Sequence, residues 1–223
     1  MGYLVVFEGI DGSGKSTQYD LLCNRFLSEG RDFMRLRFPR YDKPSSALIR
    51  MYLGGELGDD PGAVNAYAAS SFFAVDRYAS FLQDWRGYYD SGGLVLTDRY
   101  TTSNTLHQGA KLPKEEREYF FAWLYDYEFG LLGLPRPDLV IFLNIDAKIA
   151  GQRLSRRQTE TGESRDIHEK DAEYLRQCAL CGAQAAEFYG WHTVNCIENG
   201  HERSEAELSD LIYKYISSLP LNT

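Results

Sequence analysis

Nine consecutive residues, Gly9-Ile10-Asp11-Gly12-Ser13-Gly14-Lys15-Ser16-Thr17, constrain this chain more than any other stretch. They satisfy the pattern GxxxxGK[ST], and they lie between the apolar run Tyr3-Leu4-Val5-Val6-Phe7-Glu8 and a segment of helical periodicity. A strand, a glycine-rich turn and a helix in that order form a phosphate-binding loop. The glycines let backbone N–H groups curve around a phosphate, the helix N-terminus adds positive potential, and the lysine reaches the terminal phosphates. Gly9, Gly12, Ser13, Gly14, Lys15, Ser16 and Thr17 are therefore the candidate contacts to a nucleotide triphosphate such as ATP, with the Ser16 hydroxyl placed to hold Mg²⁺.

The remainder of the chain repeats the strand-then-helix alternation. Strands are expected over 3–8, 33–38, 94–97, 139–143 and, more weakly, 192–195; helices are expected over 15–28, 46–53, 63–88, 114–131, 147–157, 169–188 and 204–217. That order predicts a three-layer α/β/α domain on a five-stranded parallel sheet. With 223 residues and no Pro-rich linker or repeat, a single domain over 1–223 is the expectation. The polar stretch 159–164 reads as a mobile surface loop between two helices rather than a domain boundary.

Composition removes several function classes. Hydrophobic residues at 43% and charged residues at 25% argue against disorder, and no apolar run approaches the ~20 residues of a membrane span. The first six residues lack a basic leader region and a myristoylation serine. Cys23, Cys178, Cys181 and Cys196 are too few for a disulfide framework, so a reducing cytoplasm is expected. Cys178 and Cys181 form a CxxC inside a helical pattern, which reads as two small residues on one helix face. A net charge of −8 opposes nonspecific nucleic-acid binding, so any phosphate must be met by local arginines.

A phosphate-binding loop does not by itself name a reaction. A GTPase would carry an NKxD-type signature, whereas Asn144-Ile145-Asp146 lacks the lysine, and motors usually carry more chain. A kinase acting on a small acceptor remains.

The acceptor side carries further motifs: Arg37-Phe38-Pro39-Arg40-Tyr41, Phe73-Ala74-Val75-Asp76-Arg77-Tyr78, Thr97-Asp98-Arg99-Tyr100 and Pro137-Asp138-Leu139-Val140-Ile141-Phe142-Leu143. With the loop and an arginine-bearing segment near 153–168, the chain resembles the thymidylate kinase family from end to end. The resemblance implies a P-loop nucleoside monophosphate kinase fold with a mobile lid around 153–168. It implies transfer of the γ-phosphate of ATP to dTMP with Mg²⁺, a step toward dTTP. It also implies homodimers formed through helices packed side by side. The aromatic-rich pattern around Phe72, Phe73, Tyr78 and Phe81 would suit such a face, or could be core.

Residue by residue, Phe73 and Arg77 lie i, i+4 on one helix face. Read alone, they are either a base-stacking ring beside a donor to a base carbonyl, or a core phenylalanine and an arginine in a surface ion pair with Asp76 or another acid. The resemblance implies the first. Asp98-Arg99-Tyr100 ends the third strand, where Asp98 can order metal-bound water beside Ser16 and Arg99 can clamp the acceptor phosphate bidentately. The resemblance brings Ser103, Asn104 and Gln108 to the acceptor and sets His107 where an aromatic usually crowds the sugar; here that residue is read as filling space without catalytic duty. Phe38 and Pro39 border the acceptor. Arg40 is assigned to its phosphate, against the alternative of a solvated loop arginine. Because the loop has Gly12 and Ser13 where some relatives carry an arginine, lid arginines should supply the missing charge. Arg153, Arg156, Arg157 and Arg165 flank the polar stretch, with Arg157 and Arg165 the first choices over a plain basic helix face.

In-line phosphoryl transfer needs positioning and positive charge more than covalent chemistry. No strong base is required for a phosphate acceptor, so Asp11 should orient Arg99, a sugar hydroxyl or the metal. The alternatives are another nucleotide or deoxynucleoside kinase, or a non-catalytic nucleotide-binding protein.

Overall fold

The computed structural model describes residues 1–161, 168 and 171–219. Its centre is a five-stranded sheet built from β1 (Tyr3–Glu8), β2 (Met34–Arg37), β3 (Leu94–Asp98), β4 (Leu139–Asn144) and β5 (His192–Asn195), in the order β2-β3-β1-β4-β5. All neighbours pair in parallel, so the weakly patterned fifth strand joins the sheet as expected.

β1 is buried on both faces, which is why it reads as an unbroken apolar run. Leu4 and Val6 face a cluster with Phe81, Trp85 and Tyr89, while Val5 and Phe7 share a cluster with Tyr19, Leu22 and Phe26 of α1 (Lys15–Ser28). The helices are α2 (Ala47–Leu53), α3 (Ala66–Ser80), α4 (Arg86–Asp90), α5 (Thr102–His107), α6 (Arg117–Tyr125), α7 (Ala147–Thr161), α8 (Ala172–Tyr189) and α9 (Glu205–Ser217). Gly182 of α8 lets Phe142 and Leu106 approach to where a Cβ would stand 2.9 and 3.1 Å from them, and Cys178 and Cys181 of the same helix are wholly buried. Burial pushes both thiols up, the state of inert packing residues rather than a redox pair.

Several boundaries differ from the periodicity. The helix expected over 63–88 begins only at Ala66, where the Asn65 side chain accepts from the Ala68 N–H, and it passes through a wider π turn, Phe81–Trp85, before α4. A second π turn, Asp126–Leu131, follows α6. α7 runs to Thr161 instead of ending at 157, so Thr159, Glu160 and Thr161 are helical rather than loop; the Thr159 hydroxyl bonds back to the Ser155 carbonyl. A short antiparallel hairpin, β6 (Ile197–Glu198) with β7 (His201–Glu202), was not anticipated. Its signal was present: Asn199-Gly200 has φ of 53° and 77°, the two left-handed residues of a tight hairpin turn. Among the described residues no helix is long and apolar enough to cross a membrane.

Candidate active site

Phe7 pairs with Asp98 across β1 and β3, so the loop after β1 and the residues after β3 open side by side at the C-terminal edge of the sheet. Parallel sheets bind ligands at such edges, where neighbouring crossovers leave in opposite directions. A cleft of about 1160 Å³ opens there.

The loop's shape depends on glycine. Gly12 has φ +80° and a Cβ on it would lie 2.4 Å from the Ala150 carbonyl oxygen, and Gly14, with φ +90°, caps α1 in the left-handed region. Lys15 is almost fully buried and its Nζ lies 3.3 Å from Asp11 Oδ1. The same carboxylate oxygen accepts from Arg99 Nη2. Burial alone would raise the Asp11 pKa, but Arg99 and Lys15 outweigh it and hold the carboxyl well below the usual range.

Arg99 is the pivot between loop and acceptor side. Its backbone is left-handed, with φ 70°, a conformation that costs a non-glycine residue roughly 1–3 kcal/mol. Its Nη1 lies 3.8 Å from Glu8 Oε1, 3.3 Å from the Ser103 hydroxyl and 3.0 Å from His107 Nε2. Burial works against its charge, while Asp11, Glu8 and Asp98 hold its proton more tightly than usual. Glu8 itself escaped the sequence reading. Its buried carboxylate accepts from the Gly9 N–H at 2.8 Å, the Thr102 hydroxyl at 2.8 Å and the Ser103 hydroxyl at 2.7 Å, tying the loop to α5. A lone acid closing an apolar strand was its signal.

Ser16 and Asp98 meet, the hydroxyl donating to Asp98 Oδ2 at 2.7 Å. Arg37 Nε approaches the same oxygen at 3.2 Å. Asp98 Oδ1 is buried with no hydrogen-bond partner among the described residues. An orphaned carboxylate oxygen beside a loop hydroxyl fits a hard divalent cation such as Mg²⁺, which takes oxygen ligands.

At the acceptor end the cleft is lined by Phe38, Pro39, Tyr41, Phe73, Arg77, Asn104 and Gln108. Arg77 is buried in a bidentate pair with Glu128, with Nε to Oε2 at 2.7 Å and Nη2 to Oε1 at 2.5 Å, and its Nη1 reaches the Tyr100 carbonyl at only 3.4 Å. Glu128 sits on the π turn after α6 and also accepts from Asn104 Nδ2 and the Thr101 hydroxyl, both at 3.2 Å. The Arg77 partner is therefore neither solvent nor Asp76. Gln108 is 1% exposed, and neither its amide nitrogen nor its oxygen has a partner among the described residues. A buried, unpaired amide costs stability unless something fills the cleft beside it.

Arg40, assigned to the acceptor phosphate, lies in an acid cluster outside the cleft lining. Its backbone N–H and Nε bond the Asp76 carboxylate at 2.9 and 3.2 Å, Nη1 meets Asp84, and the residue is absent from the cleft lining. Two acids on α3 and its π turn draw the guanidinium away, and Arg37, at the end of β2, lines the cleft in its stead. The aromatic pattern also divides: Phe81 is core, Phe72 and Phe73 are half-buried, and only Tyr78 is exposed, beside Val75 and Leu82.

On the donor side Arg153 reaches the loop, its Nη1 donating to the Gly12 and Ser13 carbonyls at 3.3 and 3.2 Å while Nη2 meets Glu202 of β7. Arg156 and Arg157 line the same cleft. Arg165 falls outside the described residues, as do all of residues 162–167 of the span expected to form a lid. Glu202 of the unforeseen hairpin and Arg203 just after it also border the cleft, as does His168.

The sequence model of the thymidylate kinase family matches residues 7–208. The chain is 36% identical over 190 residues to a thymidylate kinase of Mycobacterium tuberculosis, covering 84% of this chain and 87% of that one. It is 34% identical over 164 residues to a probable thymidylate kinase of Thermococcus gammatolerans, 72% of this chain and 74% of the relative. A thymidylate kinase of Schizosaccharomyces pombe is 32% identical over 152 residues, 68% of this chain and 65% of the relative.

Proposed function

This chain belongs to the thymidylate kinase family and is a nucleoside monophosphate kinase, a phosphotransferase, and we propose that it moves the γ-phosphoryl group of ATP onto dTMP to give dTDP. The observation that carries the reading is the convergence of Lys15 and Arg99 on one carboxylate, Asp11, in a cleft that also holds the orphaned amide of Gln108. The phosphate loop and the acceptor residues thus share one space.

In this reading ATP lies with its phosphates in the loop N–H groups and against Lys15, and Arg153 supports the loop from behind through its carbonyls. Ser16 and Asp98 would hold Mg²⁺, which would supply positive charge to neutralise the phosphates. Arg99 spans the two phosphates being joined, oriented by Asp11 and Glu8. Its guanidinium offers directed paired donors to oxygens whose charge grows as the phosphoryl group leaves. Arg37 is the second acceptor-side cation. Arg156 and Arg157 complete the positive charge that the loop, with Gly12 and Ser13, does not carry.

The base lies against Phe73, with Gln108 and the Nη1 edge of Arg77 as its polar contacts. Pairing with Glu128 consumes the other edge of Arg77 and so fixes which nitrogen faces the acceptor. A homodimer through the exposed Val75, Tyr78 and Leu82 stripe of α3 and its π turn completes the reading.

The test is an acceptor panel with ATP and Mg²⁺, following ADP release. dTMP should be used best, and dUMP should follow because it keeps the carbonyl but lacks the methyl. dCMP should be poor, because its amino group would face the Nη1 edge of the buried Arg77 guanidinium donor to donor. dCMP used as fast as dTMP would move the chain to a broader nucleotide kinase, and no acceptor-dependent ADP release would remove the reading.

A further inference from the structure

The motif reading leaves His107 as a ring that fills space, yet its imidazole meets the most heavily coordinated cation of the cleft. Arg99 Nη1 lies 3.0 Å from His107 Nε2. A guanidinium has donors only, so Nε2 accepts, which puts the ring proton on Nδ1 and leaves no room for an imidazolium. Nδ1 in turn faces Cys178 Sγ of α8 at 3.7 Å, a weak acceptor.

The surroundings hold the ring in that orientation. His168 stacks on it with centroids 5.3 Å apart and planes 10° from parallel, and the Tyr52 hydroxyl of α2 lies 2.8 Å from His168 Nε2. The Tyr174 hydroxyl of α8 donates to the His107 carbonyl at 2.6 Å. Lys15 and Asp11 lie on the far side of Arg99, and Lys111 stands near His168, with Nζ 4.7 Å from the Tyr52 ring centroid. Burial first, then Arg99, keeps His107 uncharged, and burial does the same for His168.

The carboxylates of Asp11 and Glu8 pull on Arg99 from the loop side. The left-handed backbone at Arg99 starts the side chain in an uncommon direction. Only Ser103 and His107, both on α5, hold Nη1 from the acceptor side among the described residues. With Nη2 on Asp11 and Nη1 on His107, the plane of the guanidinium is determined at both ends.

We propose that His107 is a positioning residue for Arg99: by accepting from Nη1 through Nε2 it sets the plane of the guanidinium that spans loop and acceptor, while His168 holds the imidazole from its other face. The proposal rests on the bridging role given to Arg99 above. It turns on an acceptor atom, not on ring volume.

Three variants and one spectrum test it. His107→Leu keeps apolar bulk without an acceptor, and His107→Gln places Oε1 near the position of Nε2. Arg99→Ala reports whether Arg99 matters at all. Loss of the acceptor should lower kcat roughly 10- to 100-fold, the scale of a small misplacement of a catalytic group, with KM for dTMP changed much less. His107→Gln should recover most of kcat. Nitrogen NMR of the unmutated protein, with the signal identified by its loss in His107→Gln, should show His107 as the Nδ1-protonated tautomer and untitrated between pH 5.5 and 8.

Equal kcat in the Leu and Gln variants, with Arg99→Ala inactive, would leave Arg99 in place and overturn the proposal alone. An Nε2-protonated or charged ring would overturn it without any variant, should His107→Leu fail to fold. Near-normal turnover in Arg99→Ala would instead remove the bridging role of Arg99, and the proposal with it.

Discussion

Acidifying this protein from pH 6.5 to pH 5 should cost it about 3 kcal/mol of folding stability through two buried imidazoles, His107 and His168. Burial lowers the His168 pKa from 6.5 to about 3, and burial together with Arg99 holds His107 well below its ordinary value. In the unfolded chain both rings take up a proton as the pH passes 6.5, whereas in the folded chain both stay neutral. The unfolded state therefore binds more protons in this window, and stability falls as the pH falls. The unfolded ring is half protonated at pH 6.5, so the slope climbs from about 0.7 toward about 1.4 kcal/mol per pH unit, and a unit and a half costs about 1.6 kcal/mol per ring. Against a total of roughly 5–15 kcal/mol this is large.

Other shifted groups act elsewhere. Lys111, lowered to about 7 by burial, is largely protonated in both states across this window and loses its effect there. Asp11, held low by Arg99 and Lys15 against burial, and Glu173, lowered to about 2 chiefly by its hydrogen bond from Arg176, withdraw their contributions only below the ordinary carboxylate range. Urea unfolding at steps between pH 5 and 7.5, extrapolated linearly to water, measures the slope. His168→Phe, which keeps an aromatic ring against His107 and Tyr52, should remove about half of it. Stability flat to within about 1 kcal/mol over the window, or an unchanged slope in His168→Phe, would refute the reasoning.

Other substitutions probe the cleft itself. Lys15→Ala should lower turnover on the order of 10³-fold while the fold persists, read as ADP release beside an unfolding curve; near-normal turnover in a folded variant would exclude Lys15 from phosphate binding. Arg157→Ala should lower kcat more than it weakens dTMP binding, and an unchanged kcat would make it a solvated helix residue. Arg77→Ala should destabilise by about 3–5 kcal/mol, because Glu128 is left as a buried carboxylate without its cation, and in the fraction that folds the preference for dTMP over dCMP should narrow. A loss under about 1 kcal/mol would mean that water reaches Glu128. Tyr78→Glu on the exposed face of α3 should shift a dimer to monomer in sedimentation, leaving an unchanged mass as the contrary result.

Much of the molecule was legible along the chain because its chemistry is local. The strand, loop and helix around Lys15 are dictated by neighbouring residues: β-branched and aromatic side chains before, glycines where φ is positive, helix formers after. The same holds for the capping box of Ser204 and Glu207 that opens α9 within one residue of the expected boundary. Ser16 and Asp98 could be matched because each ends or follows a strand of one parallel sheet, and the sheet edge aligns them.

What the sequence could not decide is which partner each charge takes across the fold. Arg40 looked free for a phosphate, but Asp76 and Asp84 claim it, and Arg37 lines the cleft instead. Arg77 could have paired with the acid beside it, yet it pairs with Glu128, 51 residues away. Neighbours in a helix point in different directions, so Asp76 and Arg77 serve different faces. Glu8 and His168 gave little local signal for a similar reason: their roles come from a loop, a strand end and helices that meet only when the sheet closes. A buried charge or ring takes the partner that desolvation makes obligatory, and that choice is made by packing in three dimensions.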